Sequence, residues 1–440
     1  MIKTDLLEML IDLDKKHFIH PTSSLKQQQD SGAPFIFTSG SGVYLTDITG
    51  KKVLEGMSSL WNVNVGYGRK ELAEAAYEQM SKLAFTNSFS SMSNEPAIRL
   101  AAKLAEMTPG NLSGVFFTSG GSESNDTSYK LARYYWKIKG LPKKTKIISR
   151  KKGYHGVNIG ATSATGITPF QEMTSSLAPD FLHVDTFSTE ELRECIAKKG
   201  AENIAAFIAE PVQGAGGVNI APNGYFQEVR KICDENNILL IADEVITGFG
   251  RTGKMFACEH YGVVPDMMLL AKGITSGYIP LGAVIVTSQI HKELVEHSEG
   301  VLLHGYTYSG HATACAVALR NIDIIENENL VENSRLMGQE LLNGFYELQK
   351  EFKFIGEVRT LGLIGAIEMM DPITNKRFPS HLAPKVSAEA AKRGLIIRTV
   401  VFEGMDTVVF SPPLIMNKQE VDELLSILRE SLLAVQSSLS

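Results

Sequence analysis

Short, uninterrupted apolar runs alternate along this chain with longer stretches whose apolar residues recur at helical spacing. Six runs mark the middle of the sequence, at 114–117, 146–149, 205–209, 238–242, 267–271 and 282–286. They are rich in β-branched and aromatic residues and show no polar alternation, as strands covered on both faces require. Between them, 123–139 and 224–237 have amphipathic patterns long enough for crossover helices. The pattern predicts an α/β fold whose doubly wound, mostly parallel central sheet spans about 65–325.

The two ends read differently. Residues 35–56 predict a small β-meander with turns at Gly40, Gly42 and Gly50. From about 330 onward come a long polar-faced helix, short strands near Phe354-Ile355 and at 361–364, and a final amphipathic helix from Lys418 to about Val435. Packing the ends together makes a second, α+β domain. The predicted division is therefore a large domain at 65–325 and a smaller one assembled from 1–64 and 326–440. The first 21 residues are apolar at Leu6, Leu7, Leu10 and Leu13 but charged at Asp5, Glu8, Asp12, Asp14, Lys15 and Lys16. That is an amphipathic helix and not a secretory core. No apolar stretch is long enough to span a bilayer.

Composition narrows the classes further. A net charge of −6 gives no reason to expect nucleic acid or an anionic membrane as partner. Cys195, Cys233, Cys258 and Cys315 are far apart and form no C-x-x-C pair, which argues against a zinc site or disulfide framework. Free thiols fit a reducing compartment, so a cytoplasmic location without a bound metal is expected.

In open α/β sheets, ligands sit beyond the carboxyl ends of the strands, so the residues after each run are informative. After 115–117 comes Thr118-Ser119-Gly120-Gly121-Ser122-Glu123-Ser124-Asn125, a glycine-rich turn entering a helix and a plausible phosphate cradle. It is neither G-x-G-x-x-G nor a Walker A loop, which weighs against a dinucleotide-binding oxidoreductase. Later runs lead to Gly153-Tyr154-His155-Gly156, to Glu210-Pro211, to Asp243 and to Lys272. Each group alone is explicable as a cap or a turn. Together they supply an amine, a carboxylate, a ring and an anion cradle, which is what pyridoxal phosphate chemistry needs. Withdrawing the amine from water favours its nucleophilic form near neutrality.

The stretch Leu240-Ile241-Ala242-Asp243-Glu244-Val245-Ile246-Thr247-Gly248-Phe249-Gly250-Arg251-Thr252-Gly253, then Pro265-Asp266 and Leu270-Ala271-Lys272-Gly273, resembles the cofactor-attachment signature of class III (ω-type) aminotransferases. The resemblance extends to Leu60-Trp61-Asn62-Val63-Asn64, Gly121-Ser122-Glu123, Glu210-Pro211-Val212-Gln213-Gly214, His304-Gly305-Tyr306-Thr307-Tyr308-Ser309-Gly310-His311 and Ser411-Pro412-Pro413. It implies the fold of type I pyridoxal-phosphate enzymes and a homodimer with shared active sites, possible pairing into tetramers being left open. It further implies that Lys272 forms a Schiff base with the cofactor and shuttles the proton, while Asp243 pairs with the pyridine nitrogen. Tyr154 stacks on one ring face and Val245 presses on the other. Gly121 and Ser122 bind the phosphate, and Thr307 reaches the phosphate in the neighbouring subunit. Arg398 grips a substrate carboxylate, Glu210 neutralises it when the donor lacks one, and Trp61 with Tyr154 walls an apolar pocket. Asn62 stands where amine-type relatives often carry cysteine.

The activity so implied moves an amino group from an ω-amino acid or primary amine (β-alanine, taurine or aryl-alkylamine type) to a keto acid, with pyruvate favoured over 2-oxoglutarate. A racemase, decarboxylase or aminomutase on the same scaffold would share Lys272 and Asp243.

Overall fold

The computed structural model describes residues 2–374 and 376–438. Its largest sheet has seven strands in the order Leu112–Thr118, Gly282–Thr287, Met267–Leu270, Leu239–Asp243, Ile204–Ala209, Lys146–Arg150 and Phe181–Val184. Gly282–Thr287 runs antiparallel to both of its neighbours, and the other pairings are parallel. All six expected strands are present. Every residue of Ile204–Ala209, Leu239–Asp243, Met267–Leu270 and Gly282–Thr287 is buried, which is why these runs carry no polar alternation. The strand Phe181–Val184 has no such signature. It lies at the sheet edge and is only partly covered, so it tolerates His183.

The helix Gly121–Ile138 comes directly after the first of these strands. Its C-terminal half buries Leu131, Ala132, Tyr135 and Trp136 against the sheet, but its first turns bury Ser124, Asn125, Thr127 and Ser128. Polar burial there has partners: Ser124 Oγ lies 2.8 Å from Thr118 Oγ1 and donates to the Leu270 carbonyl at 3.2 Å. The sheet's carboxyl edge is thus lined with hydrogen-bonding groups where apolar packing would otherwise continue.

The two chain ends meet in one sheet. Phe37–Ser41, Tyr44–Asp47 and Lys52–Glu55 form an antiparallel meander, to which Leu395–Ile396 adds in parallel. A second sheet, ordered Ile355–Thr360, Gly365–Met369, Thr407–Phe410 and Arg398–Val400, packs under the helices Leu330–Glu351 and Lys418–Ser437 around Phe345, Phe410 and Leu428. At the start of the chain the helix runs Ile2–His17. Among the described residues no helix is long and apolar enough to cross a membrane.

Two local expectations are corrected. Gly40 lies inside a strand, where a Cβ would come within 2.8 Å of the Tyr67 side chain; the turns fall at Gly42 and Gly50. Residues 361–364 form the turn between Ile355–Thr360 and Gly365–Met369, with Gly362 at φ 57°. Leu363 and Ile364 are apolar because the turn is buried. Its backbone is held there by the Arg251 guanidinium, 2.9 Å from the Leu363 carbonyl, and by Ser334 Oγ, which accepts from Leu363 N at 3.1 Å.

Candidate active site

Parallel strands end on one edge, so the groups beyond them converge. Gly121, Ser122, Tyr154, Glu210, Asp243, Val245 and Lys272 all line a single cavity of about 320 Å³. A second cavity of about 460 Å³ is lined by Trp61, Arg398 and Phe170 and shares Tyr154, Ile246 and Lys272 with the first. Lys272 therefore stands on the boundary between two compartments. Of the site residues expected from the sequence, only Thr307 lies apart. It is exposed in the turn after Tyr306 and touches neither cavity of its own chain.

Asp243 is the last residue of its strand and is buried. Its Oδ2 accepts from Asn125 Nδ2 at 3.1 Å and lies 2.8 Å from His155 Nδ1, while its Oδ1 accepts from Val245 N at 3.1 Å. Three donors hold the carboxylate in one orientation and satisfy its charge without an arginine or lysine. Sequence reasoning assigns no site role to His155 or Asn125, although both sit inside the motifs at the strand ends. A polar residue in the first turns of a helix facing a strand-end acid is the signal that would have found Asn125.

Lys272 has a left-handed backbone, φ 47°, a strained conformation for a residue with a Cβ. The turn is pinned by Asn321 Nδ2, which donates to the carbonyls of Gly273 and Ile274 at 2.9 and 3.0 Å. Although part of the side chain faces the cavity, its amine is withdrawn from bulk water, and this burial pulls its pKa below the usual lysine range. The negative charges of Asp243 and Glu210 oppose that shift, and the Arg398 cation adds to it.

Glu210 is buried at the rim, with Oε1 accepting from Tyr154 N at 2.9 Å and Oε2 from Gly214 N at 3.2 Å. Burial, reinforced by the charge of Asp243, pushes its carboxyl up to about 7, against the opposing pull of His155, the Tyr154 N–H and Arg150. Behind it the buried Arg150 donates to the Glu210 carbonyl and lies 5.6–5.7 Å from the rings of Phe187, Tyr225 and Phe226. No ion pair joins Glu210 to Arg398; the two line different cavities. In the resting fold, then, Glu210 does not neutralise that arginine. The Arg398 side chain forms no hydrogen bond or ion pair with a described residue, and burial lowers its pKa against the opposing influence of Tyr154 and Glu55. Its half-buried guanidinium lies on the cavity wall, where such a group can pair with a carboxylate.

Trp61 reaches its wall through a strained loop: Ser58, Ser59 and Trp61 have φ of 48°, 59° and 64°. Glu55 anchors the loop by accepting from Met57 N at 3.0 Å, from Ser59 N and from Tyr67 Oη at 2.9 Å. The fully buried Arg251 donates to Asn64 Oδ1 at 2.8 Å and Ser58 Oγ at 3.1 Å, closing the base of the same loop.

The first cavity fits pyridoxal phosphate. Gly120 and Gly121 open the helix Gly121–Ile138 without a side-chain cap, leaving its first N–H groups for an anion. A Cβ at Gly121 would come 2.9 Å from Val245 Cγ1, so only glycine leaves that floor clear. The fixed anion at Asp243 and the amine at Lys272 supply the remaining chemistry on the same walls.

Residues 26–432 match the family described as Aminotransferase class-III. A putrescine–pyruvate aminotransferase of Pseudomonas aeruginosa is 40% identical over 439 residues, covering 96% of this chain and 95% of its own. The crystal structure of a transaminase from the marine bacterium Virgibacillus superposes with a TM-score of 0.97 at 54% identity, covering 98% of this chain and all of its own. An omega transaminase from Pseudomonas jessenii, crystallised in complex with PMP, superposes at 0.93 with 38% identity over 97% of this chain and 98% of its own.

Proposed function

The chain belongs to the class III aminotransferases, and from that premise we propose that it moves an amino group from an ω-amino acid or a primary amine to pyruvate. Pyridoxal phosphate is the cofactor, and when bound it supplies an aldehyde that exchanges nitrogen with amines and a ring that draws electrons from the neighbouring carbon.

In this reading Asp243 faces the ring nitrogen, held in place by Asn125, His155 and Val245 N. Gly121 and Ser122 take the phosphate at the helix start, and Tyr154 and Val245 press on the two ring faces. Lys272 Nζ holds the cofactor until the donor amine displaces it, then carries the proton at the reacting carbon. Arg398 receives the carboxylate of β-alanine-type donors and of the keto acid. Trp61 and Tyr154 flank the donor chain. Thr307, on an exposed turn, completes the phosphate site of a second copy in a homodimer. The compartments belong to a large domain of about 65–325, closed by a smaller domain from 1–64 and 326–440, in a cytoplasmic enzyme.

The observation carrying this reading is that Lys272 alone among the basic residues lines both cavities, so one amine can serve cofactor and substrate. The test is a panel of β-alanine, taurine, 1-phenylethylamine and putrescine against pyruvate and 2-oxoglutarate, with borohydride reduction and peptide mass spectrometry alongside. One keto product per alanine formed, and cofactor mass fixed on Lys272, support it. Keto product without acceptor, or mass fixed elsewhere, refutes it.

A further inference from the structure

The second cavity has an outer wall that none of the sequence motifs includes. It is built by the turn 401–406, which joins the strands Arg398–Val400 and Thr407–Phe410, and by the helix Thr168–Glu172. Phe402 meets Phe170 edge-on, with ring centroids 5.9 Å apart at 68°, and Phe170 meets Tyr154 at 5.3 Å and 65°. Three rings thus run in series from the cavity's outer end to the cofactor compartment.

One polar contact clasps this wall. Glu403 Oε1 accepts from Thr168 N at 2.7 Å, tying the turn to the helix that carries Phe170. The backbone is left-handed at Glu403 and at Gly404, φ 49° and 71°, so successive side chains diverge: Phe402 lines the cavity and Glu403 turns to the helix. The far side of the turn is anchored where the buried Asp406 accepts from Leu382 N and Ala383 N at 2.7 and 2.8 Å. The basic side chains on the cavity wall are Lys272 and Arg398; among the described residues no aspartate or glutamate lines it.

We propose that Phe402 is a specificity-determining residue of this enzyme and that Glu403 positions it, so that the outer end of the cavity takes an uncharged, apolar donor tail. This rests on the aminotransferase reading above and refines its donor class. A tail that buries hydrocarbon against Phe402 and Phe170 gains contact area and leaves no polar group unpaired. The distal ammonium of a diamine would instead be desolvated beside Arg398 with no carboxylate to meet it. Putrescine is therefore expected to be a poor donor, although the enzyme resembles one that uses it.

The test measures, in the holoenzyme, calorimetric binding of 1-phenylethanol, which has no amine to transfer. It adds kcat and KM for 1-phenylethylamine, β-alanine and putrescine with pyruvate. Phe402→Ala should weaken phenylethanol binding about tenfold and cut the preference for 1-phenylethylamine over β-alanine by a similar factor, carried in KM. Glu403→Ala should shift both in the same direction by a smaller factor, and Glu403→Gln, whose amide oxygen still accepts from Thr168 N, should restore them. Unchanged phenylethanol affinity in Phe402→Ala, equal losses for both donors, or wild-type turnover of putrescine matching 1-phenylethylamine would each overturn the proposal. If wild-type protein binds phenylethanol, and Phe402→Ala loses it, while no donor passes nitrogen to pyruvate, the wall assignment stands and the pyruvate reading fails.

Discussion

Replacing Glu210 with glutamine should remove a pH dependence from the folding stability of the cofactor-free protein. In the fold the carboxyl is 3% exposed and raised from 4.5 to about 7, chiefly by burial. In the unfolded chain it titrates normally. Below about pH 4.5 both states hold the proton, and the charge is never buried. Between about 4.5 and 7 the folded state keeps a proton that the unfolded state has released, so stability falls as pH rises. Above that window the whole cost stands. At about 1.36 kcal/mol per pH unit, the displacement costs roughly 3 kcal/mol. The assay is urea unfolding of wild type and Glu210→Gln from pH 4.5 to 8, taking the difference so that other titrating groups cancel. Relative to wild type, the variant should gain roughly 3 kcal/mol across the window. A difference that stays flat to within about 1 kcal/mol would refute the reasoning.

Three further substitutions probe the site. Asp243→Asn should lower kcat/KM by roughly 10²–10⁴, because removing one partner of a buried charge pair costs about 3–5 kcal/mol; a loss under tenfold would contradict its placement opposite the ring nitrogen. His155→Phe removes one of three donors to Asp243 and should weaken turnover roughly 10–100-fold, a charge-assisted hydrogen bond contributing about 1.5–3 kcal/mol with Asn125 still in place. Titration of the bound cofactor's absorbance against pH, which should shift in this variant, separates that role from simple destabilisation. Arg398→Ala should raise KM for β-alanine and pyruvate by roughly 10–100-fold, the loss of a charge-assisted contact, and full activity with carboxylated acceptors would remove Arg398 as the anion receptor.

Much of the site was legible because its residues sit at the ends of strands that advertise themselves. A run such as Met267–Leu270, buried on both faces, has no freedom to include polar residues, so Lys272 stands out against it. The same reasoning located Asp243 and Glu210. Residues acting through another side chain gave no such contrast. Arg150 reads as an ordinary strand-end cation until its three aromatic neighbours, drawn from 187, 225 and 226, are seen around it. Phe402 and Glu403 acquire meaning only beside Phe170 and Thr168, more than 230 positions earlier. Leu363 and Ile364 misled for the converse reason: burial, not strand geometry, made them apolar.

Local pattern by itself determined six of the central sheet's seven strands, the crossover helices and the edge at which the chemistry gathers. Those come from periodicity and from chain direction, both written residue by residue. Tertiary structure alone decided that two separate cavities meet at Lys272, that no ion pair joins Glu210 to Arg398, and that Asp243 is held by Asn125 and His155. Such relations depend on distances between segments far apart in the chain, which the packing of a common core sets and no short-range pattern encodes.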